Sequence, residues 1–305
     1  MLMVIAILSS KPLDAEKLKK LTSKPLDSIN NVQISLGKKS ELIVYPTDYP
    51  DSIIGVLKVM SIADSVVFVV NDTVSALDAE LALAVEYSAI GGGMVFYDDY
   101  SDINSFSTLF AKYKVGKFQR SKNSIEGLVN TVNEPSAGQY VSIDKHFIVK
   151  GIGSVIIGFV VSGEIKKGDK LFLIPSGKPV TVKSIQLMDV DAASAGQGSH
   201  VGLALNNATE DDLSLNYCLS NIQETHESLS AKISFSEFYD KSSVFARSMS
   251  CAVFGNNFML TLSESGNGIT AKLNRKIVKP PGKYILADAS RSVGKNRIVG
   301  SIEFI

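Results

Sequence analysis

The stretch GIGSVIIGFVVSGEIKKGDKLFLIP, Gly151–Pro175, decides how this chain folds. Gly151 and Gly153 open it in the manner of a dinucleotide-binding fingerprint. The next glycine, Gly158, comes too late for GxGxxG, and a strand pattern follows it where the fingerprint needs a helix. Glycines so placed instead allow a tight turn between strands and a close approach of two backbones. The stretch therefore predicts part of a small β-barrel and no nucleotide site.

Strand patterns continue on both sides of this stretch, from about Gly138 to the C-terminus. Short β-branched and aromatic runs alternate with Gly, Pro, Asn and Ser turns about every eight to twelve residues, which is typical of β-barrels. No long amphipathic pattern interrupts them. We predict two consecutive barrels, over residues 137–223 and 224–305.

Residues 1–136 have a different pattern, in which apolar strand-like runs alternate with helical runs. In chain order these runs are MVIAIL, DAEKLKKLT, SELIVYP, SIIGVLKVMSIA, SVVFVVN, ALDAELALAVEYSA and GGMVFYDD. Continuous apolar strands separated by helices are typical of a mainly parallel sheet. We predict an α/β domain, with the apolar N-terminus as its first strand, because no basic residues precede it as they would in a signal peptide.

Gly151–Pro175 resembles the opening of the second domain of the translation GTPases of the elongation factor Tu and SelB family. That domain reads G-x-G-x-V-x-x-G and then G-x-(I/L)-K-x-G-D. The downstream run AGQGSHVGLALNNATEDDLSLNYCLS resembles the rest of that domain, and KYILADASRSVGKNRIVGSIEF, Lys283–Phe304, resembles the end of the third domain. The chain is identified as a member of this family, archaeal SelB-like or pyrrolysine-factor-like, with a degenerate GTPase domain. The resemblance implies an α/β P-loop-like N-terminal domain followed by two β-barrel domains, the elongation factor Tu architecture.

The residues with which this family hydrolyses GTP are replaced in the first domain. The run VYPTDYPDSIIGVLKVMSIADSVVFVVN is similar to the segment that begins at the family's D-x-P-G-H motif. An ungapped match puts Tyr45 at the magnesium-linked Asp, Asp48 at the Gly and Tyr49 at the catalytic His. The sequence YDDY, Tyr97–Tyr100, stands where N-K-x-D would recognise guanine. Because these groups bind magnesium, sense the γ-phosphate and orient water, the resemblance implies that hydrolysis has been lost.

The stretch VIAILSSKPLDAEKL, Val4–Leu18, has the layout of a phosphate loop without its chemistry. The loop GxxxxGK[ST] needs glycines so that amides can face the phosphates, a lysine for their charge and a hydroxyl for magnesium. Here Leu8 and Leu13 stand at the glycines, Asp14 at the lysine and Ala15 at the hydroxyl. The remnant of the loop is Ser9, Ser10, Lys11 and Asp14. We predict no productive GTP binding and no cofactor; GTP and magnesium would be cofactors only of an active, divergent factor.

The resemblance also implies candidates for a pocket that holds the aminoacyl end of tRNA. They are Asp144 and Phe147 in SIDKHF and His200 in SHVG. An apolar core role is an alternative for Phe147.

The last third of the chain is basic although the whole chain has a net charge of zero. Residues 225–305 contain 11 Lys and Arg against 6 Asp and Glu. Clustered Lys and Arg are typical of surfaces that contact RNA phosphates, and a solvated surface is the alternative. The RNA-binding candidates are Lys272, Arg275, Lys276, Lys279, Arg291, Lys295 and Arg297.

Three hypotheses about function follow. The first is an elongation-factor-like protein that has lost GTP hydrolysis and binds tRNA, another RNA or the ribosome. The second is an active, divergent factor that delivers a specialised aminoacyl-tRNA. The third is a regulatory or structural module that binds a protein partner.

Cys218 and Cys251 lack the spacing of a metal site, as do the histidines, so we expect no metal site. No run of about 18 to 20 apolar residues predicts a membrane helix, and we expect a cytoplasmic protein.

Overall fold

The computed structural model describes residues 2–39, 41–128, 138–266 and 268–305. The chain divides into two compact units. One consists of Met3–Asn133, Ser230–Ala271 and Gly282–Ile305, and the other of Met1–Leu2, Glu134–Leu229 and Lys272–Pro281. The predicted boundary at residue 136 lies outside the described residues, and the predicted limits of the three domains stay a prediction.

The N-terminal part folds around one mixed sheet, whose strand order is β2-β3-β4-β1-β5-β6-β7. Its strands are β1 Val4–Ser9, β2 Lys24–Ile29, β3 Val32–Leu36, β4 Leu42–Pro46, β5 Ser65–Val69, β6 Gly93–Tyr97 and β7 Gln119–Lys122. Its helices are α1 Ala15–Leu21, α2 Ile54–Ile62, α3 Ala76–Tyr87 and α4 Ile103–Leu109, followed by a 3₁₀ helix, Lys114–Lys117. Strand β1 is parallel to β4 and β5, as the alternating pattern predicts. The antiparallel strands β2 and β3 extend the sheet at one edge and were not predicted.

The position of β1 follows from its composition. The run VIAILS is buried at five of its six residues, between β4 and β5. A strand with apolar residues on both faces must be covered on both faces, so it lies in the middle of the sheet. The predicted first strand is confirmed. Because parallel strands all end at the same edge, the turns after β1, β5 and β6 come together there.

The second part of the chain forms a closed barrel. Its strands are β8 Tyr140–Ser142, β9 Lys145–Val149, β10 Gly153–Ser162, β11 Glu164–Lys166, β12 Lys170–Ile174, β13 Lys178–Leu187, β14 Val190–Ala192, β15 Ser194–Gly196, β16 His200–Asn206 and β17 Cys218–Ser220, with helix α5 Glu210–Leu215. The order β12-β17-β8-β10-β16-β13 closes by pairing β12 with β13. Alternate residues of β10, such as Ile156 and Val160, point into the core.

The last part forms a second closed barrel in the order β18-β21-β20-β19-β22-β23. Its strands are β18 His226–Phe235, β19 Ser248–Val253, β20 Asn256–Ser265, β21 Gly268–Ile277, β22 Lys283–Ala287 and β23 Ile298–Phe304, and a 3₁₀ helix spans Lys241–Ala246. The predicted architecture, an α/β domain followed by two barrels, is confirmed. Within the described residues, no helix is long and apolar enough to cross a membrane.

Candidate functional site

The turn between β1 and α1 is capped by the protein's own carboxylate. Asp14 is the N-cap residue of α1, and its Oδ1 accepts a hydrogen bond of 2.7 Å from the amide of Lys17. The free amides at a helix N-terminus are the groups to which phosphates bind in a phosphate loop. Here one of these amides is bonded to a negatively charged side chain, which also interacts favourably with the helix dipole.

The other residues of the loop remnant have hydrogen-bond partners in the turn that follows the neighbouring strand β5. Lys11 forms an ion pair with Asp72 and lies 3.3 Å from the hydroxyl of Thr73. This hydrogen bond from Lys11 holds the pKa of Asp72 below its usual value. The side-chain amide of Asn71 donates to the hydroxyls of Ser9, at 3.3 Å, and Ser10, at 3.0 Å. All four remnant residues are therefore engaged within the protein.

A cleft of about 760 Å³ opens at the edge where β1, β5 and β6 end. This edge is where open α/β sheets bind their ligands. Its charged lining consists of Asp14, Glu16, Asp72, Asp98, Asp99, Lys11, Lys17 and Lys20. The carboxylates outnumber the ammonium groups by five to three. The three lysines pair with three of these carboxylates, Lys11 with Asp72, Lys17 with Asp98 and Lys20 with Glu16, so the lining carries a net negative charge.

Tyr49, which the sequence match puts at the catalytic His, is buried and hydrogen-bonded. Its hydroxyl lies 2.9 Å from the carbonyl of Leu77 and 3.1 Å from Glu80 Oε2, and its side chain is 8% exposed. Burial raises the pKa of Tyr49, and the charge of Glu80 raises it further. The Tyr49 hydroxyl is thus bonded within the protein. The contacts give Tyr49 a structural role.

Glu80 joins Tyr49 to the last barrel through Arg297. The Arg297 guanidinium donates to both oxygens of Glu80, at 3.0 Å from Nε to Oε1 and 2.6 Å from Nη2 to Oε2, and to the carbonyl of Pro50 at 2.9 Å. The backbone amide of Arg297 donates to Glu80 Oε1 at 2.8 Å. Arg297 is 1% exposed and Glu80 4%. Arg297, an RNA-binding candidate by sequence, therefore has no guanidinium surface to offer a phosphate.

The remaining basic candidates lie in both units. Lys272 and Lys276 are exposed on β21, four positions apart, with Asn274 midway between them. Residues an even number of positions apart lie on the same face of a strand. Arg275 points to the other face, where its guanidinium lies 4.4 Å from the centre of the Tyr217 ring. Lys279 is exposed beyond the strand. Arg275 therefore packs against an aromatic ring, whereas Lys272, Lys276 and Lys279 are exposed.

Arg291 and Lys295 lie in the other unit, in the loop between β22 and β23. The Arg291 guanidinium lies 5.1 Å from the centre of the Tyr239 ring and donates to the carbonyl of Asn296 at 2.6 Å. Lys295 is exposed.

The three pocket candidates lie along β10. Phe147 pairs with Val155, and His200 pairs with Phe159, so both flank β10 on its outer face. Four residues of strand separate these positions, about 13 Å. The amide of Asp144 donates to the carbonyl of Ile157, between them, at 2.8 Å. Phe147 is 39% exposed, which contradicts the alternative of a core role and leaves its ring open to a ligand.

Sequence reasoning missed Glu80 and Asp288, which organise the contacts of the last barrel. Nothing in the sequence distinguishes Glu80 from the other polar residues of a predicted helix. Asp288, which is fully buried, comes directly after β22, and no pattern in the sequence singles it out.

Comparisons with known proteins agree with the barrels. The sequence model of elongation factor Tu domain 2 matches residues 153–214. A selenocysteine-specific elongation factor of Methanocaldococcus jannaschii is 30% identical over 91 residues, which are 30% of this chain and 19% of that protein. An uncharacterized protein of the same organism is 28% identical over 291 residues, 92% of each chain.

Solved structures share the whole fold. The apo form of translation elongation factor SelB from Methanococcus maripaludis gives a TM-score of 0.76 at 16% identity and covers 100% of this chain, which spans 79% of that protein. The bacterial selenocysteine-specific elongation factor EF-Sec gives a TM-score of 0.74 at 16% identity, over 99% of this chain and 58% of that one. This chain thus spans between 58% and 79% of the length of these two solved proteins.

Proposed function

We propose that this chain, which belongs to the translation elongation factor Tu and SelB family, neither hydrolyses nor productively binds GTP. It acts in the cytoplasm on tRNA, another RNA or the ribosome. The α/β domain keeps the sheet and helices of its relatives as a packing unit. The barrels carry the binding function.

The capping of α1 by Asp14 is the observation that carries the first half of this proposal. A phosphate group at this helix would have to displace the Asp14 carboxylate from the amide of Lys17 or lie beside it. Two negative charges about 4 Å apart repel each other by roughly 4 kcal/mol near a protein surface. The net negative charge of the cleft lining, five carboxylates against three ammonium groups, adds to this repulsion.

We expect no binding of GTP with magnesium at a Kd below about 1 mM in isothermal titration calorimetry. The repulsion by Asp14 and the absence of a lysine at the phosphates are the physical reasons. SelB from Methanococcus maripaludis, whose structure is known in complex with the GTP analogue GppNHp, is the positive control. Micromolar binding would contradict the proposal and favour an active, divergent factor that delivers a specialised aminoacyl-tRNA.

Two exposed lysines of β21, Lys272 and Lys276, support the second half of the proposal, the binding of RNA. Lys272 and Lys276 project from the same face of β21, about 13 Å apart. No ion pair involves either of them within the described residues. Ammonium groups free of carboxylates are available to phosphates, and each phosphate contact releases a counterion.

We expect the double charge reversal Lys272→Glu with Lys276→Glu to weaken tRNA binding by at least about tenfold and to reduce the salt slope of binding by about 2. Filter binding or fluorescence anisotropy over a range of salt concentrations measures both. The matched control is Lys19→Glu with Lys24→Glu, which makes the same charge change at two exposed lysines of the α/β part. Equal losses in both variants would mean that only net charge matters, and no binding by the unaltered protein would favour the protein-interaction module.

A further inference from the structure

Two loops meet at one end of the last barrel. The first, residues 236–247, joins β18 to β19, and the second, residues 288–297, joins β22 to β23. Phe235, at the end of β18, pairs with Gly300, near the start of β23, so both loops leave the barrel at the same end. We call them together the barrel-end platform.

The buried carboxylate of Asp288 fixes the two loops to each other. Its Oδ2 accepts hydrogen bonds from the hydroxyl of Tyr239, at 2.7 Å, and from Arg247, at 3.3 Å, both on the first loop. Its Oδ1 accepts from the hydroxyl of Ser290 at 2.5 Å. Burial alone would raise the pKa of Asp288, but these hydrogen bonds outweigh it and hold the pKa below the usual value. The carboxylate thus stays charged, and the platform is held in one shape.

The platform displays aromatic rings to solvent. Phe238 is 53% exposed and Phe245 39%, and both lie on the loop that Tyr239 and Arg247 anchor. The carbonyl of Phe238 accepts a hydrogen bond from Asn296 of the second loop at 3.4 Å. Large aromatic side chains bury most of their surface in an ordinary fold, so two exposed rings on one anchored loop indicate a contact surface.

Basic side chains lie on the same two loops as these rings. Lys241, Arg291 and Lys295 lie on the platform, and no ion pair of theirs is found within the described part of the chain. Two of the three carboxylates of the platform are engaged internally, and the third, Glu237, is exposed directly before Phe238 in the chain. Asp288 is buried, and Asp240 caps the 3₁₀ helix by accepting from the amide of Ser242 at 3.0 Å. The platform therefore carries two exposed aromatic rings and the exposed ammonium groups of Lys241 and Lys295, against the exposed carboxylate of Glu237, and this combination complements a polyanion with aromatic groups.

We propose that the barrel-end platform binds unpaired RNA nucleotides, whose bases stack on Phe238 and Phe245 and whose phosphates contact Lys241 and Lys295. This proposal rests on the proposed function in RNA binding and assigns RNA contacts to residues other than Lys272 and Lys276. Stacking on aromatic side chains requires bases that are free of a duplex. An RNA duplex presents only phosphates and grooves, so it would contact the lysines but not the aromatic rings.

The test compares two RNAs of equal length, a hairpin with a large unpaired loop and a blunt duplex, in anisotropy titrations at one salt concentration. We expect Phe238→Ser with Phe245→Ser to weaken binding of the hairpin by about tenfold or more, and to leave duplex binding within about twofold. The variant Phe238→Leu with Phe245→Leu keeps apolar side chains but removes the flat rings, and it should also lose hairpin binding. Leu109→Ser, at an exposed leucine of α4, is the matched control for loss of apolar surface.

The outcomes separate the two proposals. If the unaltered protein binds neither RNA, the proposed RNA function fails and this inference with it. If it binds RNA but both double variants bind the hairpin as tightly as before, only the platform is excluded. Circular dichroism melts of each variant confirm that the barrel is folded, and ultraviolet crosslinking to peptides that contain Phe238 or Phe245 supports the platform independently.

Discussion

Glu80→Leu is expected to lower the free energy of unfolding by about 3 to 5 kcal/mol, which is the cost of leaving one member of a buried ion pair without its partner. Arg297 would keep the carbonyl of Pro50 as an acceptor but lose three hydrogen bonds to a carboxylate. A guanidinium cannot relieve this by losing its proton. The backbone amide of Arg297, which also donates to Glu80, loses its acceptor as well.

The double variant Glu80→Leu with Arg297→Leu should recover much of this loss, because replacing both members of a buried pair with apolar residues of similar volume is often neutral. Recovery should stop about 1 to 3 kcal/mol short of the unaltered protein, since the amide at position 297 remains unsatisfied. Tyr49 keeps the carbonyl of Leu77 as its acceptor in both variants.

Urea denaturation followed by circular dichroism measures these effects, and the difference between the single and double variants gives the coupling of the two side chains. The control is Glu16→Gln, which removes an exposed pair with Lys20 and should cause no measurable change. If Glu80→Leu is as stable as this control, the buried pair does not hold α3 against the last barrel.

The ion pair also shows where sequence reasoning stops. Glu80 and Arg297 are 217 positions apart, and no periodic pattern in either segment connects them. Arg297 lies in a basic stretch, so a surface role was the natural expectation from composition. Local sequence reports which face of an element is apolar, but the partner of a buried charge depends on tertiary packing, which composition does not record.

Other features could be predicted because their causes are local. The apolar run of β1 requires cover on both faces, and the alternation in β10 requires one face inside a barrel. The sequence shows Asp14 at the position where a phosphate loop has its lysine, and an Asp just before a helix is a favoured N-cap. The hairpin of β2 and β3 escaped prediction because its residues, KPLDSI and VQISL, are short, partly polar and lack a continuous apolar pattern.

Gly158→Ala is expected to destabilise the first barrel by about 3 kcal/mol or more, at the upper end of the range for overpacking a core. A Cβ atom at Gly158 would lie 1.7 Å from the carbonyl oxygen of Ser142 and 2.7 Å from its carbonyl carbon. These are backbone atoms of a neighbouring strand, so no side-chain rotation relieves the overlap. The amide of Phe159 also donates to the buried hydroxyl of Ser142 at 2.9 Å, and this bond would stretch as the strands separate.

The reason for this close approach lies in how β10 is paired. Its first half, Gly153–Ile157, pairs with β9, and its second half, from Val160, pairs with β8. The chain passes from β8 to β9 over Gly158, where only a residue without a side chain leaves room. The glycine that comes too late for a dinucleotide fingerprint therefore has a steric function in the barrel, as its position in the sequence predicted.

Gly196→Ala is the matched control, because a Cβ at Gly196 would have no atom within 4 Å and the residue lies in the same unit of the chain. We expect it to change the free energy of unfolding by less than about 0.5 kcal/mol. Thermal and urea denaturation of the two variants, measured side by side, tests the difference. Equal stability of Gly158→Ala and Gly196→Ala would mean that β8 can move away from β10 without cost, and that the close pairing at Ser142 does not hold the barrel closed.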